Sequence, residues 1–282
     1  MSDWLTKSFQ EHSILWLLVS SILGGIIGAS LRFLFDVLLP QHLKDRRDII
    51  AAKRKYATPI LLAADDLRKR YANIIQHIGL IEREGWLSPE NLDKYYYWST
   101  LYTVAQFIGW RQILRHTVVY LDFTTTSETR RFENFLVAIQ RGFTKPDLLQ
   151  NDVASDPTRS EDKWVYTFWL QAIGDSMIIR DGSDYRVKEY AAFCSDVSQL
   201  DQHCLKEWID ALGILFINLK ATDPRFRRIV ATHCVLNAFI DQVDPHHLRT
   251  DKQAYYWNLL TDEEANRVRH QICRIIPKAQ IR

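Results

Sequence analysis

Apolar positions recur along most of the chain at helical spacing, every three or four residues, and one stretch near the start abandons the period altogether. Residues 14–31, ILWLLVSSILGGIIGASL, run for eighteen positions without a charge. At 1.5 Å per residue that is about 27 Å, close to the roughly 30 Å of a hydrocarbon core. After Arg32 the apolar character resumes with Phe33, Leu34 and Phe35, and again from Val37 to Leu39. The pattern predicts a membrane-spanning anchor over 14–39, with Arg32 snorkelling to the headgroups and Asp36 one turn away as its partner. Small residues at Gly28-Ala29-Ser30 admit a cleaved signal peptide as the rival. The long apolar run, and a leading tail with Asp3, Lys7 and Glu11 in place of a basic region, favour the uncleaved anchor.

Beyond the anchor the helical period dominates. Thr58-Pro59 reads as an N-cap with proline at the first helical position, opening a helix that Gly85 stops after Glu84. Ser88-Pro89 repeats that arrangement before a helix reaching towards Leu121. Thr125 and Glu128 have capping-box spacing ahead of another, 145–159 reads as a loop, and helices follow over 161–180, 201–221, 226–243 and 262–276. No alternating strand pattern stands out. The class is all-α: a single N-terminal transmembrane helix followed by a cytoplasmic multi-helix bundle. Residues 95–121 are apolar nearly all round, which predicts a central core helix, since their tyrosines, Arg111, Arg115 and His116 make a poor second span.

Charge sets the expected orientation. Lys+Arg 36 against Asp+Glu 34 leaves a net +2, far from a globally basic nucleic-acid binder, and no nucleic-acid partner is expected. Locally the balance is uneven. Residues 41–55 hold Lys44, Arg46, Arg47, Lys53, Arg54 and Lys55 against Asp45 and Asp48, whereas the leading tail is slightly acidic. The positive-inside bias then puts the N-terminus outside and the body in the cytoplasm of an inner membrane, with Arg32, Arg46, Arg47, Lys53, Arg54 and Lys55 at the lipid interface. The expected divisions are a tail at 1–13, the anchor at 14–39, a basic juxtamembrane segment at 40–55 and a helical domain at 56–282. Cys194, Cys204, Cys234 and Cys273 are too widely spaced for a disulfide framework and read as free thiols, the last three as small buried hydrophobes.

Four stretches carry a resemblance. They are Tyr56-x-x-Pro59-Ile-Leu-x-Ala63-Ala64-x-x-Leu67-x-x-Arg70-x-x-Asn73-Ile74, Thr100-Leu-Tyr-x-x-Ala105-Gln106-x-x-Gly109-Trp110-x-x-Ile113-x-Arg115, Gln171-Ala-Ile-Gly174-Asp175, and Asp241-x-x-Asp244-Pro245-x-x-x-Arg249. Together they resemble an uncharacterised family of bacterial and plant membrane-anchored α-helical proteins. The resemblance implies a single cytoplasmic unit over most of 55–250 and no particular chemistry.

The chain has no phosphate loop, zinc-protease helix, nucleophile elbow or dinucleotide fingerprint. His203-Cys204, His233-Cys234, Cys194 and His246-His247 lack the C-x₂₋₄-C spacing of structural zinc, so neither a metal nor a cofactor is expected. Gln106, Arg115, Gln171 and Asp175 interrupt apolar faces and must find partners, because a bare buried polar group costs roughly 2–7 kcal/mol. They read either as an internal network, with Arg115 set against Asp175, or as a polar pocket walled by Tyr102, Trp110 and Trp169. Gly24 and Gly28 share one helix face and predict homo-oligomerisation through the span. The functional expectation is a non-enzymatic assembly or recruitment module at the inner face of the membrane. Its alternatives are a ligand-sensing membrane effector and a membrane-tethered enzyme of unrecognised type.

Overall fold

The computed structural model describes residues 21–26, 28, 32–33, 36, 39–90, 95–118, 127–144, 164–182, 184–198 and 205–276. The chain divides into two compact units, Met1–Ala51 and Ala52–Arg282. In the first, 21–26, 28 and 32–33 are helical, and Arg32 Nε lies 3.2 Å from Asp36 Oδ2, the one-turn pairing expected from sequence. Much of the expected span lies outside the described residues. Among those described, no helix is long and apolar enough to cross a membrane.

The expected helical class holds. In chain order the helices are α1 (Leu39–Glu84), α2 (Tyr95–Val118), α3 (Ser127–Thr144), α4 (Thr167–Ser176), α5 (Tyr190–Ser198), α6 (Leu205–Gly213), α7 (Pro224–Val243) and α8 (Asp262–Ile275), with a 3₁₀ turn at Trp257–Leu259. Within the second unit α1 buries Ile60, Leu67, Ile74 and Ile81 at seven-residue intervals, with Ala64 and Tyr71 between them. That is the stripe a helix presents to a bundle. It does not begin at Thr58-Pro59: helix precedes Pro59, which sits inside α1 at the loss of one backbone bond. Gly85 does end it. With φ +64 it takes the left-handed conformation, and Trp86 N donates to Ile81 O at 3.2 Å, the six-to-one bond of a Schellman cap. Pro89 and Glu90 lie in a turn, so α2 does not start at Ser88-Pro89 as expected.

Between α4 and α5 the chain forms an antiparallel hairpin, β1 (Ile178–Asp181) and β2 (Asp184–Val187), pairing Ile178 with Val187 and Asp181 with Asp184. This replaces the end of the helix expected over 161–180. Gly182, at φ +62, is the residue that turns the loop. The hairpin and α4 pack on α2. Gly174 lets the two helices close: a Cβ there would stand 2.7 Å from Ile108 Cγ2.

The expected central helix α2 buries Tyr97, Leu101, Val104, Phe107, Ile108 and Ile113, but α7 is enclosed more completely, with every residue from Arg228 to Ile240 buried. Asp223 caps α7, accepting from Arg225 N at 2.8 Å ahead of Pro224 at its start. Phe132 and Phe135 of α3 meet Phe239, with ring centroids 5.4 and 5.8 Å away. Polar groups tie the rest together. Arg68, wholly buried, pairs with Asp65 and donates to Asp251 O at 2.6 Å and to Asn237 Oδ1 at 3.3 Å. It thereby joins α1, α7 and the segment leading to the 3₁₀ turn. At α8, Thr261 and Glu264 form a reciprocal capping box.

Candidate functional site

The residues singled out in sequence do not converge as a set. Asp175 is the centre of a small cluster, but its partners are Gln112, whose Nε2 donates to Oδ1 at 3.0 Å, and His116, whose Nε2 lies 3.0 Å from the same oxygen. The expected Arg115–Asp175 pair is thus corrected. Gln112 and His116 are four apart and share the α2 face that meets α4, while Arg115 lies about 100° round the helix from His116. Gln106 is half-buried, with Oε1 unpartnered among the described residues. Gln171, Trp110, Trp169 and Tyr102 are half-buried, and the three aromatics pack on the core. Tyr102 Oη donates to Lys188 O at 3.1 Å, and its ring meets Tyr190 and Phe193, so the expected aromatic wall belongs to the packed interior.

Gly24 and Gly28 are helical, and a Cβ at either meets nothing within 4 Å. The backbone of Arg46, Arg47, Lys53 and Arg54 lies in α1, while their side chains are outside the described residues. Lys55 is set against Asp184 of the hairpin. Cys194, Cys234 and Cys273 are free thiols, and Cys273 is exposed, against expectation, because it falls on the outer side of the Ala265–Val268–Ile272 stripe of α8. Cys204 and His203 lie outside the described residues, and among those described no three His, Cys, Asp or Glu gather as metal ligands. Desolvation pushes the Cys234 thiol up to about 12 and the His233 imidazole down to about 4. The arginines at the start of α7 are drawn into the fold. Arg225 is held by Asp223 and by Ile214 O, and Arg228 is buried.

The chemistry-bearing space lies elsewhere, in a cavity of about 610 Å³ lined by Tyr97 and Trp98 of α2, one face of α5, one face of α6 and the turns beyond. Cys194, Val197 and Ser198 recur at three- and four-residue spacing on α5, and Lys206, Ile209 and Asp210 do the same on α6. Ile214 and Ile217 follow α6, and Pro89 completes the rim. Tyr97 is fixed between core and cavity. Its ring is buried, and its hydroxyl lies over Gly213, where a Cβ would stand 2.1 Å from Oη. Burial first, and then the charge of Asp210, push the Tyr97 phenol up to about 12, so it enters any contact as a neutral hydroxyl. The Tyr190 phenol, on the same helix as Cys194, is held above its ordinary value chiefly by burial.

Sequence reasoning missed this site because α5 carries no strong period and the walls come from three distant segments. The available signal was the paired spacing of apolar and polar residues at 206–210 and the tyrosine–tryptophan pair at 97–98. In volume the cavity is that of a small-molecule site, mostly apolar with a few polar groups along its walls. Compared with known proteins, the chain matches no family model, no curated protein and no solved structure.

Proposed function

We propose that the chain is a single-pass, membrane-anchored helical module whose body binds a small, largely apolar ligand, making it a ligand-sensing effector at the inner face of the membrane. The observation that carries the reading is the 610 Å³ cavity between α2, α5 and α6, walled by Tyr97, Trp98, Val197, Ile209, Ile214 and Ile217. A recess of this volume with largely apolar walls suits a small molecule, whereas a module that only recruits partners has no need of one. The anchor rests on the uncharged run at 14–31 and the basic flank behind it.

The test is native mass spectrometry of the full chain released gently from its own membranes. We expect a small molecule retained by the wild type and lost from Val197→Trp, which fills the cavity from α5. An empty wild type would turn the reading back to assembly. That second reading is favoured by the open faces of Gly24 and Gly28, where a neighbouring helix could approach closely.

A further inference from the structure

We infer that the cavity takes an organic ammonium ion, an amine carried on an apolar or aromatic skeleton, with its positive head held between Asp210 and the rings of Tyr97 and Trp98. The inference rests on the proposed ligand-binding reading and names the ligand class of that same cavity.

Three features select a cation. The first is the carboxylate. Asp210 lines the cavity on α6; its backbone carbonyl accepts from Ile214 N at 3.0 Å, but among the described residues its carboxylate has no hydrogen bond or ion pair. Its charge reaches the hydroxyl of Tyr97 across the same wall. The second is the aromatic corner. The Tyr97 and Trp98 rings are 5.1 Å apart between centroids with planes inclined at 71°. Tyr97 is buried and Trp98 half-buried, so Trp98 is the more open ring of the corner, and an electron-rich ring face attracts a cation and repels an anion. The third is the apolar part of the lining, Val197, Ile209, Ile214 and Ile217, which suits a carbon skeleton. Among the described residues Lys206 is the one cation of the lining, and it has an interaction partner of its own. A neutral ligand would leave the Asp210 charge unused, and an anion would meet both that charge and the ring faces.

Three probes of one skeleton separate charge from shape: benzyltrimethylammonium, benzyl alcohol and phenylacetate, titrated by calorimetry into the full chain in a nonionic detergent. The expected result is one ammonium per chain, bound at least tenfold more tightly than the alcohol, with phenylacetate weakest. Asp210→Asn, at an exposed position, should erase the tenfold preference and leave the affinity for the alcohol unchanged. Trp98→Phe keeps an aromatic face and should lower ammonium affinity only two- to threefold. If the alcohol or phenylacetate binds as tightly as the ammonium, or if Asp210→Asn keeps the preference, the ammonium assignment is overturned. Should that binding still be abolished by Val197→Trp, the ligand-binding reading stands without it. If no probe binds and the native protein carries no small molecule, both are overturned.

Discussion

His233 is wholly buried on α7, its Nε2 3.3 Å from Gln253 Oε1, in the field of the buried Arg68. Burial first, and then that neighbouring charge, hold its pKa down at about 4 against 6.5 when unfolded. The unfolded chain therefore takes up a proton that the folded chain refuses. Stability is fully present above about pH 6.5 and is lost progressively as pH falls towards 4, by an amount on the order of 3 kcal/mol. Urea unfolding of the wild type and His233→Gln at pH 7.5 and 4.5 isolates this effect from carboxylate titration. The wild type should lose about 2–3 kcal/mol more than the variant over that interval, and equal losses would exonerate the imidazole. At this scale the sequence told which side chains interrupt apolar faces but not whom they meet. Asp175 was recognisable as a polar group needing a partner, and the choice of Gln112 and His116 over Arg115 depends on the rotation of α2 against α4.

Elements were legible where a cap and a period coincide. The helices expected over 226–243 and 262–276 are α7, opened two residues earlier by Asp223-Pro224, and α8, opened by Thr261 with Glu264. Thr58-Pro59 carries similar grammar, yet helix lies on both sides of it, because local signals name a favourable start without forbidding continuation. The hairpin's signal was Gly182 directly after Asp181, but its two four-residue strands are too short for alternation to stand out against helical neighbours. Packing of elements gives the prediction that belongs here. Gly174→Ala would bring a Cβ to 2.7 Å from both Ile108 Cγ2 and Gln112 Cγ, and to 3.1 Å from the Ile108 carbonyl oxygen, which cannot swing aside. The expected cost is about 1–3 kcal/mol by chemical denaturation. Gly79→Ala in α1, whose Cβ meets nothing within 4 Å, is the control and should be neutral or stabilising by about 0.5–1 kcal/mol. Equal effects at the two sites would mean that α2 and α4 do not meet through Gly174.

At the scale of the molecule, the cavity shows what a linear reading cannot reach. Its walls come from residues 97–98, 194–198 and 206–217, which only the tertiary fold brings together. The proposed membrane topology is the opposite case, since such a whole-molecule property would be set by local charge. Six basic residues lie between positions 41 and 55, just beyond the expected anchor at 14–39, against two acidic ones, and such a flank resists translocation. A reporter that matures only in an oxidising compartment should stay inactive when fused to the C-terminus and become active when fused to the N-terminus. Replacing Lys44, Arg46, Arg47, Lys53, Arg54 and Lys55 with glutamine, while adding lysines to the leading tail, should invert or mix the two signals. The free thiols of Cys194, Cys234 and Cys273 give an independent readout, since they fit a body held in a reducing compartment. An active C-terminal reporter on the unaltered chain would place the cavity on the outer face, and with it the source of any ligand. No reporter signal from membranes, with the chain recovered in the soluble fraction, would remove the anchor altogether and leave the ligand-binding body to stand alone.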